Sequence, residues 1–417
     1  MSHQKILNWP FIHSVVSETS TRLARLDNEI SNLREKLKQL EDGRAALFSY
    51  RTQNTAILSP LQRMPPEVLS EIFSWTLPSN SDTLSIGFDM AHAPWVLTRI
   101  SSSWRAACLS TPSLWSRIVI DNAPSDPSRN YSRALIEAHI HRAQKLHVHF
   151  YGSSETDSDR QIQKFVLLSK HSSRWEELSL GLTSEILPLL NALRDRIPLL
   201  KRLWIKWYDR RATVQSLDCF RTAPSLVDLG VSHKRNFVPI IVPMQQLARY
   251  NLNASLQRHL AILRLAQNVV EAHIHVDFDD EIWVEKKEIL CLPHLRRVFV
   301  SHPEALDYLE APSLEGLGFW VLPEVNDANI VHLESFLGRS ECSLQKLCLR
   351  ASDAHTTAQI LGKFPSLAEL AVTVDESHSQ EDFDLLMSTL SLPEVGPQLR
   401  SLFVASEEGS SIDAPRC

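Results

Sequence analysis

Two histidine pairs have the residue types and spacing that metal chemistry most often uses. His147 and His149, and again His273 and His275, stand two residues apart, which on a β-strand puts both imidazoles on one face. Such a pair suits a divalent metal, and the acidic run Asp277 to Glu281 (DFDDE) lies close enough to the second pair to add carboxylates. No third ligand follows at a defined spacing, so the metal reading lacks a complete donor set. The six cysteines (Cys108, Cys219, Cys291, Cys342, Cys348 and Cys417) are scattered, without the two-residue spacing of a zinc knuckle or redox motif. They read as free thiols of a reducing compartment. There is no phosphate-cradling glycine loop, no G-x-S-x-G and no H-E-x-x-H, and only 11 glycines in all. The expectation is a protein that is not an enzyme and that carries no cofactor and no metal.

The elements that must position these residues are many. At 417 residues the chain exceeds one ordinary core and implies two or three domains. Hydrophobic residues at 43% and charged residues at 22% are ordinary for a soluble fold. A net charge of −6 argues against a nucleic-acid partner. No run reaches the length of a membrane span and the N-terminus lacks a long apolar stretch. A cytoplasmic and/or nuclear protein without a membrane partner is expected.

Residues 1–58 form the first segment. Within it Leu23, Leu26, Ile30, Leu33, Leu37 and Leu40 alternate steps of three and four, an a/d heptad seam that falters at Gly43 and Arg44 before Leu47. This predicts a long helix, either folded back on its own chain or self-associating through residues 19–48. Residues 59–120 hold a Pro-started helix carrying Val68, Leu69, Ile72 and Phe73, then a polar insertion at 79–93. A second helix is predicted from Trp95 to Leu109, closed by Thr111-Pro112-Ser113-Leu114-Trp115. Residues 121–142 read as a Pro/Asp/Ser linker and a connecting helix. From 143 to 406 the pattern apolar-x-x-apolar-x-apolar recurs eleven times, from Ala143-Leu146-Val148 to Leu399-Leu402-Val404. Ala143 to Leu399 spans ten intervals with a mean period of about 26, inside the range of leucine-rich repeats. Several units open alike, with APSL at 223 and 311 and FPSL at 364. Residues 407–417 are a tail. The individual steps are uneven and the consensus Asn is missing, so the repeat is irregular.

The segment Leu61 to Ile118 resembles an F-box. Met64-Pro65-Pro66-Glu67-Val68-Leu69 with Ile72-Phe73 follows the order of the family's first helix, and Trp104-Arg105 with Pro112-Ser113-Leu114-Trp115 follows its end. Met64 stands where the family usually has Leu, and Ser101-Ser102-Ser103 precedes the Trp where the family often has Val-Cys-Lys or Val-Cys-Arg. The layout is similar to that of the large fungal, mushroom-type set of F-box proteins. The fold the resemblance implies is multidomain, α plus α/β: an N-terminal long helix, a small helical F-box, then an irregular leucine-rich-repeat solenoid of parallel strands with helices. The implied function is substrate recognition for a Skp1–cullin–F-box ubiquitin ligase. The F-box would dock a Skp1-type adaptor, and through it the cullin–RING ligase, while the solenoid binds an unknown protein target. By residue match, Leu61, Met64, Pro65, Val68, Leu69, Ile72 and Phe73 are the candidate Skp1 contacts. Trp104, Leu114 and Trp115 belong to the F-box core, to the interface, or to both. The alternative is a scaffold, outside ubiquitin chemistry, that uses the solenoid and the heptad helix.

In such a solenoid the residues between the apolar strand positions face the concave side. Trp204, Lys206, His273, His275, Phe299, Trp320 and Arg350 are the candidate target-binding residues, because aromatic and Arg side chains anchor interfaces. The stretch KRLWIKWYDRR at 201–211 is basic with interleaved aromatics. It either grips an acidic or phosphorylated segment or packs Trp207 inside under solvated charges.

Overall fold

The computed structural model describes residues 9–58, 64–77, 92–121, 132–151, 159–183, 185–207, 216–233, 239–276, 288–321, 326–350, 354–375 and 397–407, with five positions between 384 and 390. Leu61, the Asp277–Glu281 run, residues 208–211 and Cys417 lie outside them. The chain divides into two compact units, Met1–Glu71 and Ile72–Cys417. Helix α2 (Pro66–Trp75) carries the boundary between them.

In the first unit, α1 (Trp9–Leu58) is one uninterrupted helix of 50 residues. The heptad-seam residues Leu23, Leu26, Ile30, Leu33, Leu37 and Leu40 are all exposed along it.

The second unit is a mixed helix–sheet body built on one parallel sheet of 12 strands. Its strands, in both chain and sheet order, begin with β1 (Arg117–Asp121), β2 (Leu146–Tyr151), β3 (Trp175–Leu182) and β4 (Arg202–Trp207). They continue with β5 (Asp228–His233), β6 (Arg249–Ala254), β7 (Glu271–Val276) and β9 (Arg297–Val300). The sheet ends with β11 (Gly316–Trp320), β12 (Lys346–Arg350), β13 (Glu369–Asp375) and β14 (Ser401–Glu407). The short strands β8 (Leu290–Cys291) and β10 (Leu309–Glu310) pair with each other apart from it. Parallel neighbours require a crossover after every strand. Several crossovers are helical: α4 (Arg133–Arg142), α5 (Asp159–Ser169), α6 (Leu187–Leu190), α7 (Leu256–Leu265), α8 (Asn326–Ser340) and α9 (Ala354–Lys363). The arrangement is that of an α/β solenoid, in which the strands of the large sheet lie side by side in the order in which the chain visits them.

The second and third positions of all eleven apolar triplets fall on strands of this sheet. The second positions of nine of them form one cross-strand row, Leu178, Leu203, Leu229, Tyr250, Ala272, Val298, Leu317, Leu347 and Leu370, all buried. Burying such rows on one face supplies the stabilisation that no single repeat can provide. Two details differ from the sequence expectation. The sheet starts at Arg117, inside the segment that closes the helical motif, because Ile118 and Ile120 extend the buried rows onto Val148 and Phe150. On β2 the register shifts between Leu146 and His147, so Val148 and Phe150, rather than Leu146 and Val148, match Leu178 and Leu180.

Tyr250 replaces an aliphatic rung with a polar one. Its hydroxyl lies 2.7 Å from His259 Nδ1, and His259 Nε2 lies 3.0 Å from the His275 carbonyl oxygen. A carbonyl only accepts, so Nε2 carries the proton and Nδ1 accepts from the tyrosine. Burial holds the His259 ring neutral, its pKa lowered to about 4.

Candidate functional site

The helical segment ahead of the sheet is shorter than its periodicity suggests. A 3-10 turn (Val96–Arg99) comes first, and α3 (Ser102–Leu109) begins only after Ser101. Ser101 is extended, and its hydroxyl accepts the Trp104 backbone N–H at 3.1 Å. The serine run that departs from the family pattern thus starts the helix with an N-cap. Trp104 then meets Phe73 of α2 with ring centroids 4.9 Å apart.

Leu114 and Trp115 are fully inside. The Trp115 indole N–H donates to the Cys108 carbonyl at 2.9 Å. Its ring is boxed by Trp95 edge-on at 5.0 Å, by His139 at 5.0 Å, and by the Arg142 guanidinium 4.3 Å above its face. A guanidinium over an indole face is attracted by the ring quadrupole. Burial first, then the charge of Arg142, depresses the His139 pKa to about 3, so the box holds one cation and not two. Helix α4, which supplies His139 and Arg142, therefore locks the motif's end directly against the start of the sheet.

Helix α2 shows two faces. Leu69 and Phe73 are buried. Val68, Ile72 and Trp75 follow at steps of four and three on the other side and are 45%, 40% and 82% exposed. Met64 is half-buried and Pro65 exposed. Of the residues read from the sequence as docking contacts, Pro65, Val68 and Ile72 are therefore at the surface, whereas Leu69, Phe73, Leu114 and Trp115 are spent on internal packing. A stripe of large apolar side chains on an amphipathic helix is the surface that helix-in-groove recognition uses.

The second candidate surface is the face of the sheet opposite the buried rows. Parallel in-register pairing aligns its residues in rungs. The first rung holds Glu177, Arg202, Asp228, Arg249, Glu271, Arg297, Gly316, Lys346 and Glu369 in neighbouring positions from β3 to β13. Charge alternates strand by strand. Arg202 reaches Asp228 at 3.8 Å, and Arg249 reaches Asp228 at 3.7 Å and Glu271 at 3.5 Å. Arg297 reaches Glu271 at 2.6 Å, and Lys346 reaches Glu369 at 2.7 Å. The His273 hydrogen bond, followed by Arg297 and Arg249, holds the Glu271 carboxyl down at about 2. The alternation fails at one place: Gly316, a neutral rung between the cations of β9 and β12.

The second rung sits two residues along each strand. It runs Trp204, Gly230, Asn251, His273, Phe299, Gly318, Cys348, Ala371 and Phe403. Two glycines here are dictated by contact. A Cβ on Gly230 would stand 2.5 Å from the Trp204 ring, and one on Gly318 would stand 2.8 Å from the Phe299 ring. Trp204 therefore lies over its glycine neighbour and remains 42% exposed, while Trp207 of the same strand is buried. The third rung carries Trp320, Arg350 and Thr373.

Five of the seven residues read as target anchors come together on this face. Phe299 stacks on His273 at 5.8 Å and touches His275 at 5.5 Å. The Arg350 guanidinium stands 5.8 Å from the Phe299 ring and 5.4 Å from the Trp320 ring. Trp204 and Lys206 lie apart, on β4. Three of the five, His273, Phe299 and Arg350, line a pocket of about 280 Å³ together with Gly316, Gly318, Cys348, Ala371 and Phe403. Arg297, Gly316, Gly318, Lys346 and Phe403 join the pocket without having been expected from the sequence. Their signal was available in the residue just before the second apolar position of each repeat, and in the Gly-x-Gly of β11.

Among the described residues the histidine pairs do not extend into a larger donor set. His147 lies 3.5 Å from Glu176 and 3.9 Å from Glu177, and His273 lies 3.3 Å from Glu271. Among the described residues no group of three or more His, Cys, Asp or Glu side chains is placed to hold a metal ion. Cys108, Cys219, Cys291, Cys342 and Cys348 are unbridged, and burial raises the Cys108 and Cys219 thiols to about 11 and about 12, out of nucleophilic range. Among the described residues no helix is long and apolar enough to cross a membrane.

The chain matches no protein-family model and no curated protein. Its functional reading therefore rests on its residues and their geometry.

Proposed function

We propose that this chain is the substrate-recognition adaptor of a Skp1–cullin–F-box ubiquitin ligase, with the F-box docking a Skp1-type adaptor and an irregular leucine-rich-repeat solenoid holding the target. It performs no chemistry of its own. The observation that carries the reading is the two-faced helix α2. Its order of residues resembles an F-box, and it keeps Val68, Ile72 and Trp75 exposed while Leu69 and Phe73 are buried. The polar face of the sheet, with its aromatic and Arg cluster, supports the second half of the adaptor role.

The test is co-expression with a Skp1-type protein, comparing the wild-type chain with the double variant Val68→Asp/Ile72→Asp. Both positions are exposed, so the variant keeps its far-UV spectrum and urea midpoint. Covering those side chains is worth about 1 kcal/mol each, and burying unpaired carboxylates costs several more, so affinity falls by roughly a thousandfold or beyond. Co-purification that survives the double substitution would remove the α2 assignment. Leu69 is unsuited to this test because a carboxylate there would disturb the fold itself.

A second reading, a scaffold without ubiquitin chemistry, is favoured by one observation: the full heptad seam of α1 is exposed.

A further inference from the structure

We propose that the gap in the charge ladder at Gly316 is the seat of a carboxylate from an extended acidic segment of a partner protein. In naming the occupant as a protein to be recruited, the proposal rests on the adaptor reading; the chemistry of the pocket does not.

Along the ladder, each carboxylate between two cations is shared by both neighbours. Asp228 lies between Arg202 at 3.8 Å and Arg249 at 3.7 Å, and Glu271 between Arg249 at 3.5 Å and Arg297 at 2.6 Å. Gly316 occupies the corresponding place between Arg297 and Lys346 and supplies nothing. Strands in a sheet are about 4.8 Å apart, so a carboxylate over Gly316 would reach both cations as Glu271 reaches its two. Space for it exists, since the pocket opens over Gly316.

The rest of the pocket specifies the residues that come after the carboxylate. One step along β11, the side chain of Gly318 is absent, and Cys348, Ala371, Phe299 and Phe403 make an apolar seat. Another step along, Arg350 and Thr373 share a rung and both line the pocket. Thr373 is only 3% exposed, and its hydroxyl has no hydrogen-bond partner among the described residues. An orphaned buried hydroxyl beside a guanidinium is a site for an acceptor. Lys346 and Arg350 are four residues apart, about 13 Å along the strand, and an extended peptide spaces its residues i and i+4 equally. The complementary segment therefore carries Asp or Glu, then a large apolar residue two positions on, then Asp or Glu two further on. Arg297 and Lys346 flank the seat on both sides, so the group that sits over Gly316 is acidic.

The experiment uses the full chain and a fluorescein-labelled peptide, Gly-Glu-Ser-Leu-Ser-Glu-Gly, followed by fluorescence anisotropy. Saturable binding is expected, weakened at least about tenfold when both Glu are replaced by Gln, a difference of about 1.4 kcal/mol. The decisive variant is Gly316→Glu, which closes the ladder from within. A Cβ at Gly316 meets Arg297 Cγ at 3.4 Å and Lys346 Cβ at 3.6 Å, ordinary contacts, so this variant folds with an unchanged or raised thermal midpoint. It is expected to lose peptide binding at least about tenfold and to keep its association with a Skp1-type protein. Equal binding of the Glu and Gln peptides, or unimpaired binding by a folded Gly316→Glu variant, overturns the proposal. Absence of saturable binding by the wild-type chain overturns it as well. A peptide with phosphoserine at the first acidic position that binds more tightly than the Glu peptide assigns the seat to a phosphomonoester and overturns the carboxylate. Skp1 association is read separately in the same variants, so failure of the adaptor reading and failure of the pocket give different results.

Discussion

Mild acid should destabilise the second unit, and the buried histidines set the scale. His139 and His259 are both fully inside, with pKa values lowered to about 3 and about 4, in each case by burial first. In the unfolded chain a histidine titrates near 6.5. As pH falls through that value the unfolded state takes up protons that the native state refuses, so stability drops from about pH 6.5 downward and levels only near the folded pKa. Between pH 7 and pH 5 each of these two groups removes close to 2 kcal/mol, about 4 kcal/mol together. His149 and His275, half-buried and held at about 4, act in the same direction by a smaller amount. Glu176 and Glu271, held at about 2 by their hydrogen-bonded neighbours, prolong the loss from about pH 4.5 to about pH 2. A domain's whole margin is commonly about 5–15 kcal/mol, so a loss of this size is large. Urea unfolding at pH 7 and pH 5, followed by far-UV circular dichroism and by tryptophan fluorescence, measures it. Replacing His259 by Gln should flatten the pH slope by one proton, about 1.4 kcal/mol per pH unit. Unfolding free energies at the two pH values that agree within about 1 kcal/mol would refute the neutral-histidine argument.

Packing and exposure lead to two more expected outcomes. Trp115→Phe removes the indole N–H bond to the Cys108 carbonyl and narrows the face under Arg142, and should cost about 2–3 kcal/mol in urea unfolding at pH 7. The scaffold reading predicts a concentration-dependent dimer of the full chain in sedimentation velocity, returned to monomer by Leu33→Asp in the exposed seam of α1; a wild-type chain that stays monomeric dismisses that reading.

The repeat was legible because one buried row needs an apolar residue at the same place in every strand. Nine triplets satisfied that need at their second position, including that of Tyr250, whose hydroxyl is satisfied by His259, whereas Leu146 of the first is out of register and Leu402 of the last is exposed. β1 was not legible as a strand, because Ile118 and Ile120 follow the Pro-Ser-Leu-Trp closer, which reads as the end of a helical motif. The break before α3 depends on a single serine hydroxyl, and hydrophobic periodicity carries no trace of it. The frame of β2 was misread because its register shift at Leu146 is set by the neighbouring strand, not by its own residues. For the same reason the pocket stayed hidden. Arg297, Gly316 and Lys346 are each unremarkable in their own repeats, and only register across the strands makes them neighbours. The aromatic and Arg cluster was easier, because alternation along each single strand already points those residues to one face.

The pairing of β1 with β2, two residues after Trp115, has one further consequence. With no linker between the helical closer and the first strand, the sheet is a ruler fixed at one end. The Gly316 seat lies eight strand spacings from β1, about 38 Å measured along the sheet at about 4.8 Å per strand. Gain or loss of one repeat would shift that seat by a single strand spacing and alter neither the helical motif nor the pocket chemistry. Repeat number is thus a length adjustment that a gene can make in discrete steps, independent of the residues at either end.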